Sequence, residues 1–196
     1  MLAVALTTLF AVLASAFLLY LILYVAKQGS QYLNLDFFTQ APAPDGDPGG
    51  GIATAIQGSL ILIGLASLFG VPLGLFTGIY LAEFGRGWLA IVVRFLVDTL
   101  TGIPTIVFGL FAWVLIVVPS HSFSAVSGGV ALGIIMIPTV ARATEEVLRL
   151  VPKDLREASI ALGATESHTI LRVVVPAASR GIVTGIILAI ARIAGE

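Results

Sequence analysis

A few charged side chains stand where the surrounding sequence is too apolar for a loop. Arg192 lies twelve residues beyond Arg180 with only apolar and small residues between them, a separation of about 18 Å along a helix. That depth lies inside a membrane, where an arginine costs at least about 2.5–3.5 kcal/mol on insertion scales. A guanidinium presents a planar fork of donors that matches the oxygens of an oxyanion, so a path for anions is one reason to keep it there. The plainer reason is Glu196, one turn further on, which could neutralise it. A second group, Arg142, Glu145, Glu146 and Arg149, ends another long apolar run. Arg142–Glu146 and Glu145–Arg149 have the spacing of intrahelical ion pairs; the same residues could instead gate or bind an anion. A third group is carried by REASIALGATESHTILRVVVP, Arg156 to Pro176. Its small residues Ala158, Ser159 and Ala161 allow another surface to approach closely, and the charges around them, Glu157 among them, offer polar contacts. This stretch reads as a docking element.

The elements that must position these groups follow from local signals. Val151-Pro152 sets up a helix start, because proline fits the first helical turn without losing a hydrogen bond. Gly163 stands where a left-handed cap would end that helix, and Thr165 can cap a second one carrying Ile170, Val173, Val174 and Val175. Two short helices joined at a glycine are therefore expected to lie between two hydrophobic spans.

The whole chain of 196 residues is 58% hydrophobic and 11% charged, with a mean hydropathy of +1.08. Soluble domains carry about a quarter charged residues, so the expectation is an all-α, polytopic integral membrane protein. There is no cysteine and the net charge is −1, which removes disulfides, thiolate metal sites and any electrostatic case for nucleic acid. His121 and His168 fall in connections on opposite sides of the membrane, so no shared metal site is expected. No GxxxxGK[ST] loop occurs and the only lysines are Lys27 and Lys153; ATP hydrolysis, if it drives this protein, has to come from a separate subunit. No HExxH motif or nucleophile elbow is present either, so no catalytic residues are assigned.

Residues 1–28 supply the first span, long enough to cross a bilayer; Ala14-Ser15-Ala16 resembles a signal-peptide cleavage site, but the apolar run continues past it. Residues 29–52 form an extracytoplasmic loop rich in Pro, Gly and Asp, with a short surface helix around Leu33–Phe38. The region 53–196 holds four more spans: near 54–82, from about Thr99 to Val118, from about Gly128, and from about Leu171 onward. Pro72 is expected to loosen the second span locally, and Pro104 and Pro138 to interrupt the third and fourth. Gly70, Gly74 and Gly78, then Gly129 and Gly133, then Gly181 and Gly185 recur every four residues, a spacing that lets membrane helices meet backbone to backbone. Asp98 is expected at the membrane interface. Basic residues gather at 83–94 and 149–172, which places both connections, and the docking loop at 150–172, on the cytoplasmic side.

At the docking loop the chain resembles a known family. Type I ABC importer permeases carry Glu-Ala-Ala, three residues, Gly, nine residues, Ile, one residue, Leu-Pro in a cytoplasmic coupling helix. Glu157, Ala158, Gly163 and Pro176 meet that spacing; Ser159 replaces the second Ala, and Val173 and Val175 replace Ile and Leu. GIPTIVFGLF at 102–111 and RATEEVLRLVP at 142–152 make the chain similar, from about Asp36 to its last residue, to the A-type permease subunits of phosphate importers. The resemblance implies an inner-membrane helical bundle that docks to an ATP-hydrolysing subunit through residues 152–172, with Glu157, Ala158, Ser159 and Gly163 at the contact. It implies Arg142, Glu145 and Arg192 on the substrate path or its gate. It further implies a second permease subunit, an extracytoplasmic phosphate-binding protein, lipid around the bundle, and ATP with Mg used by the partner while this chain binds no cofactor. Members have six spans, so a last helix is expected to be missing after Glu196. Two other readings are a permease for another solute, such as sulfate or molybdate, and a non-transporting helix bundle.

Overall fold

The computed structural model of the chain describes residues 1–44 and 49–196, the side chains of residues 2 and 3 aside. The Pro- and Asp-bearing stretch of the first loop at 45–48 lies outside the described residues. Every regular element among those described is a helix. We number them α1 (Leu2–Ser30), α2 (Leu35–Thr39), α3 (Ala53–Phe84), α4 (Gly87–Gly102), α5 (Thr105–Ser120), α6 (Ala125–Arg149), α7 (Lys153–Ala161) and α8 (Glu166–Ala194). Four of these, α1, α3, α6 and α8, are long and apolar enough to cross a membrane, and the bent pair α4–α5 makes a fifth candidate.

The chain divides into two compact units, Met1–Gln57 and Gly58–Glu196. In the first, α1 carries no charge before Lys27 and its apolar side chains are exposed all round, the pattern of a helix solvated by lipid or by other helices. The short helix expected near Leu33–Phe38 is α2. Asn34 Oδ1 caps it by accepting from the Phe37 amide at 2.8 Å, and the Ile52 and Ala53 amides fold the end of the loop back onto it by donating to the Phe37 and Gln40 carbonyls.

The second unit is built around α6. Ser124 and Ser127 start it with reciprocal side-chain to backbone bonds, satisfying amides that have no partner within the helix. The α3 glycines then let α6 come close: a Cβ on Gly74 would sit 2.7 Å from Val140 Cβ, and one on Gly78 would sit 2.6 Å from the Ala141 carbonyl oxygen. On another side, Gly181 and Gly185 of α8 lie against Val147 and Ala143. Ala66, Phe108, Ile135, Met136, Val140, Ala189 and Ile193 form the largest buried cluster, drawn from α3, α5, α6 and α8. The repeated small residues thus act as the close-packing surfaces their spacing indicated.

Two expectations need correcting. Pro138 does not interrupt its helix: α6 runs unbroken from Ala125 to Arg149 with Pro138 buried inside it. The missing N–H costs one bond but not the helix where neighbouring helices cover the freed carbonyl. The third span also does not begin near Thr99. Residues 87–102 are already helical, and the chain turns by 101° between α4 and α5. Pro104 sits at that break as the residue before α5; it disfavours helical geometry at Ile103, which is extended with φ −77° and ψ 133°.

Candidate functional site

Glu145 is the centre of the polar interior of the second unit. Its side chain is 2% exposed, a burial that an ionised carboxylate tolerates only with charged partners. Three arginines supply them. Arg94 of α4 donates from Nε at 3.1 Å and Nη2 at 2.8 Å, both to Glu145 Oε1. Arg149, one turn along α6, donates to the same oxygen at 2.7 Å. Arg142 Nη1 reaches Oε2 at 3.4 Å, and Arg142 Nη2 pairs with Asp98 Oδ1 of α4. Two ion pairs therefore tie α4 to α6, while Arg94 also reaches the Leu81 carbonyl at the end of α3 at 3.4 Å.

The sequence-based pairing of Arg142 with Glu146 is not the one formed. Glu146 points outward and is exposed, whereas Glu145, on the face turned to α4, takes both Arg142 and Arg149. Arg94 and Asp98 are the site residues that sequence reasoning missed, one assigned to a basic connection and the other to the membrane interface. Their own spacing of four carried a signal. Two opposite charges one turn apart make a single charged face on α4, and Arg142 and Glu145 make the matching face on α6.

Arg192 stands apart. Gly185 packs on Ala143, so Arg192, seven residues further along α8, lies about 10 Å away from the level of Arg142 along the helix axis. Its side chain is 44% exposed and its nearest acidic contact is Glu196, with Nε–Oε1 at 3.8 Å. That is a loose neighbour and not a hydrogen bond.

The docking segment folds as its local signals require. The Gly163 amide donates to the Ile160 carbonyl and the Ala164 amide to the Ser159 carbonyl, the paired bonds of a glycine-terminated helix, with Gly163 at φ +88°. Thr165 Oγ1 then accepts from the His168 amide at 3.3 Å to open α8. No residue of α7 is buried; Glu157, Ala158 and Gly163 are exposed. Ser159 turns the other way, its Oγ 2.9 Å from Thr169 Oγ1, a bond either hydroxyl can donate. Its visible role is to clasp α7 to the base of α8. Arg156 also faces inward, pairing with Glu83 Oε2 at the end of α3 and donating to the Leu148 carbonyl at 2.9 Å. Between these elements lies a cleft of about 400 Å³ lined by Glu83, Arg86, Arg149, Lys153, Arg156 and Glu157 among others.

The second unit is thus a bundle of membrane-length helices with a capped, exposed helical hairpin and an internal arginine–carboxylate cluster. The chain belongs to the binding-protein-dependent transport system inner membrane component family, whose signature matches residues 70–196. Among its relatives are proteins named phosphate transport system permease protein PstA. The one from Yersinia pestis is 45% identical over 180 residues, 91% of this chain and 61% of that protein. The one from Haemophilus influenzae is 41% identical over 181 residues, 91% of this chain and 64% of that protein. PstA 1 of Mycobacterium tuberculosis is 49% identical over 148 residues, 75% of this chain and 49% of that protein. The similarity to A-type phosphate permeases read from the sequence is thus upheld, and the chain spans about half to three fifths of the length of these relatives. In fold it is similar to a chain of the MetNI methionine ABC transporter in an inward-facing conformation. The TM-score is 0.68 at 24% identity, covering 74% of this chain and 70% of that one.

Proposed function

We propose that this chain is the transmembrane permease subunit of an ATP-driven phosphate importer, forming half of the translocation path. The region 53–196 would be the transport domain, preceded by an anchoring span at 1–28 and an extracytoplasmic loop at 29–52. The observation that carries the reading is the α7–α8 hairpin, with its docking pattern exposed on the outer face of α7 and its inner face fixed by Ser159 and Arg156. Phosphate as cargo is supported by the names of the relatives.

In this reading Glu157, Ala158 and Gly163 contact a separate ATPase subunit on the cytoplasmic side, and that subunit binds ATP with Mg while this chain binds no cofactor. Ser159 contributes from behind by holding α7 in place. A second permease subunit completes the path as a heterodimer, and an extracytoplasmic phosphate-binding protein delivers the ion. Closure of the ATPases would push on α7, and the push would reach the interior through α8 and the Arg156–Glu83 pair. Arg142 and Glu145 would form the gate, and Arg192, the arginine at a separate level of α8, would meet the anion elsewhere on its route.

The test is uptake of labelled phosphate against labelled sulfate in phosphate-starved cells lacking their own importer. The gene is expressed there with those of its partner subunits. Phosphate-selective, ATP-dependent uptake is expected for the wild type and is lost in both Arg192→Gln and Glu157→Lys. Co-purification of the ATPase is lost only in Glu157→Lys. Sulfate uptake would keep the permease and overturn the cargo. A wild type that moves neither ion and never retains an ATPase would overturn the transporter.

A further inference from the structure

The two oxygens of Glu145 are unequally occupied. Oε1 accepts three hydrogen bonds, two from Arg94 and one from Arg149, whereas Oε2 has only the 3.4 Å approach of Arg142 Nη1. Arg142 is therefore loosely held on the Glu145 side, and its Nη2 is given to Asp98. Asp98 differs from Glu145 in two respects. Its side chain is 47% exposed, and among the described residues it makes no other side-chain hydrogen bond. One carboxylate is thus held by several donors and the other by a single one. Counting Arg94, Arg142 and Arg149 against Glu145 and Asp98 leaves one positive charge in excess.

A guanidinium accepts a carboxylate and a phosphate in the same way, through paired N–H donors. Asp98 occupies on Arg142 the place that an oxyanion would take. If the carboxylate swings to water as an anion arrives, the cluster exchanges one negative partner for another and keeps its charge balance. Arg94 makes the exchange possible: with Oε1 pinned by Arg94 and Arg149, Glu145 cannot swing round to bring both oxygens onto Arg142. We infer that Asp98 is a built-in competitor for the transported anion at Arg142, with Arg94 the positioning residue that keeps Glu145 from taking that guanidinium itself. This rests on the reading of Arg142 as part of an anion path.

The experiment measures phosphate uptake against concentration in the assembled importer. Asp98→Asn is expected to lower the apparent KM by about threefold, the size set by a half-exposed ion pair. The gain should vanish when Arg142→Gln is added. Because the chain has no cysteine, Asp98→Cys in a complex with cysteine-free partners gives a second readout that does not depend on the asparagine variant accumulating. A thiol reagent carrying a sulfonate should restore the higher KM, and one carrying an ammonium group should not. An unchanged or raised KM in Asp98→Asn at normal membrane levels, or a response blind to the charge of the reagent, would overturn the inference while leaving phosphate transport intact. A wild-type complex that moves no oxyanion would overturn the transport reading as well.

Discussion

At Glu145 the electrostatics of the interior come down to one side chain. It is 2% exposed and meets three guanidinium groups, so replacing it with glutamine leaves Arg94 and Arg149 without a counter-ion and Arg142 with Asp98 alone. Breaking a fully buried pair by removing one partner costs about 3–5 kcal/mol, and the partial exposure of the three arginines brings the loss here below that range. Glu145→Gln is expected to lower the thermal unfolding midpoint of the detergent-solubilised complex by several degrees and to abolish uptake. Glu146→Gln, one residue on and exposed, should stay within about 0.5 kcal/mol of wild type; equal loss in both variants would mean that the buried cluster is not the determinant. The adjacency of Glu145 and Glu146 also marks where sequence reading runs out. Spacing made either a suitable partner for an arginine on the same helix, but the choice is set by α4, which lies 51 residues away at Arg94 and supplies the competing donors. Arg94 and Asp98 themselves carried only the weak signal of their own spacing.

The helices divide by how local their instructions are. The hairpin of α7 and α8 was legible because a proline start, a glycine with positive φ and a threonine cap each act within four residues. The 101° turn between α4 and α5 was only half legible. Pro104 marked a break, but the helicity of residues 87–102, with two charges in it, depends on α6 receiving those charges. The glycine spacing of α3 announced close packing without naming the partner. That packing has a direct test. A valine at position 74 would place its Cβ 2.7 Å from Val140 Cβ and 2.8 Å from the Ile137 carbonyl, forcing α3 and α6 apart at a cost of about 1–3 kcal/mol. Gly74→Val is expected to lower the unfolding midpoint and the amount of assembled complex. Gly64→Val on the same helix, where no atom lies within 4 Å of the added Cβ, should do neither.

At the scale of the molecule, the ion pairs between α4 and α6 set an order for synthesis. Arg94 and Asp98 leave the ribosome 51 and 44 residues ahead of Glu145 and Arg142. At roughly 5–20 residues per second, α4 waits some 2–10 seconds for its counter-ions. Arg94 and Asp98, one turn apart, offset each other only in part, and charges are costly in hydrocarbon, so during that interval α4 is expected to rest at the water interface and to join the bundle when α6 emerges. A chain truncated after residue 120 and released from the ribosome should leave a cysteine introduced at position 97, which is buried beside Ala141 in the folded chain, open to a water-soluble thiol reagent, and the chain that includes α6 should close it. Equal labelling at both lengths would show that α4 enters the membrane on its own. The charged face of α4 would then also be a timer: this helix would be inserted by a later part of the same chain and not by its own hydrophobicity.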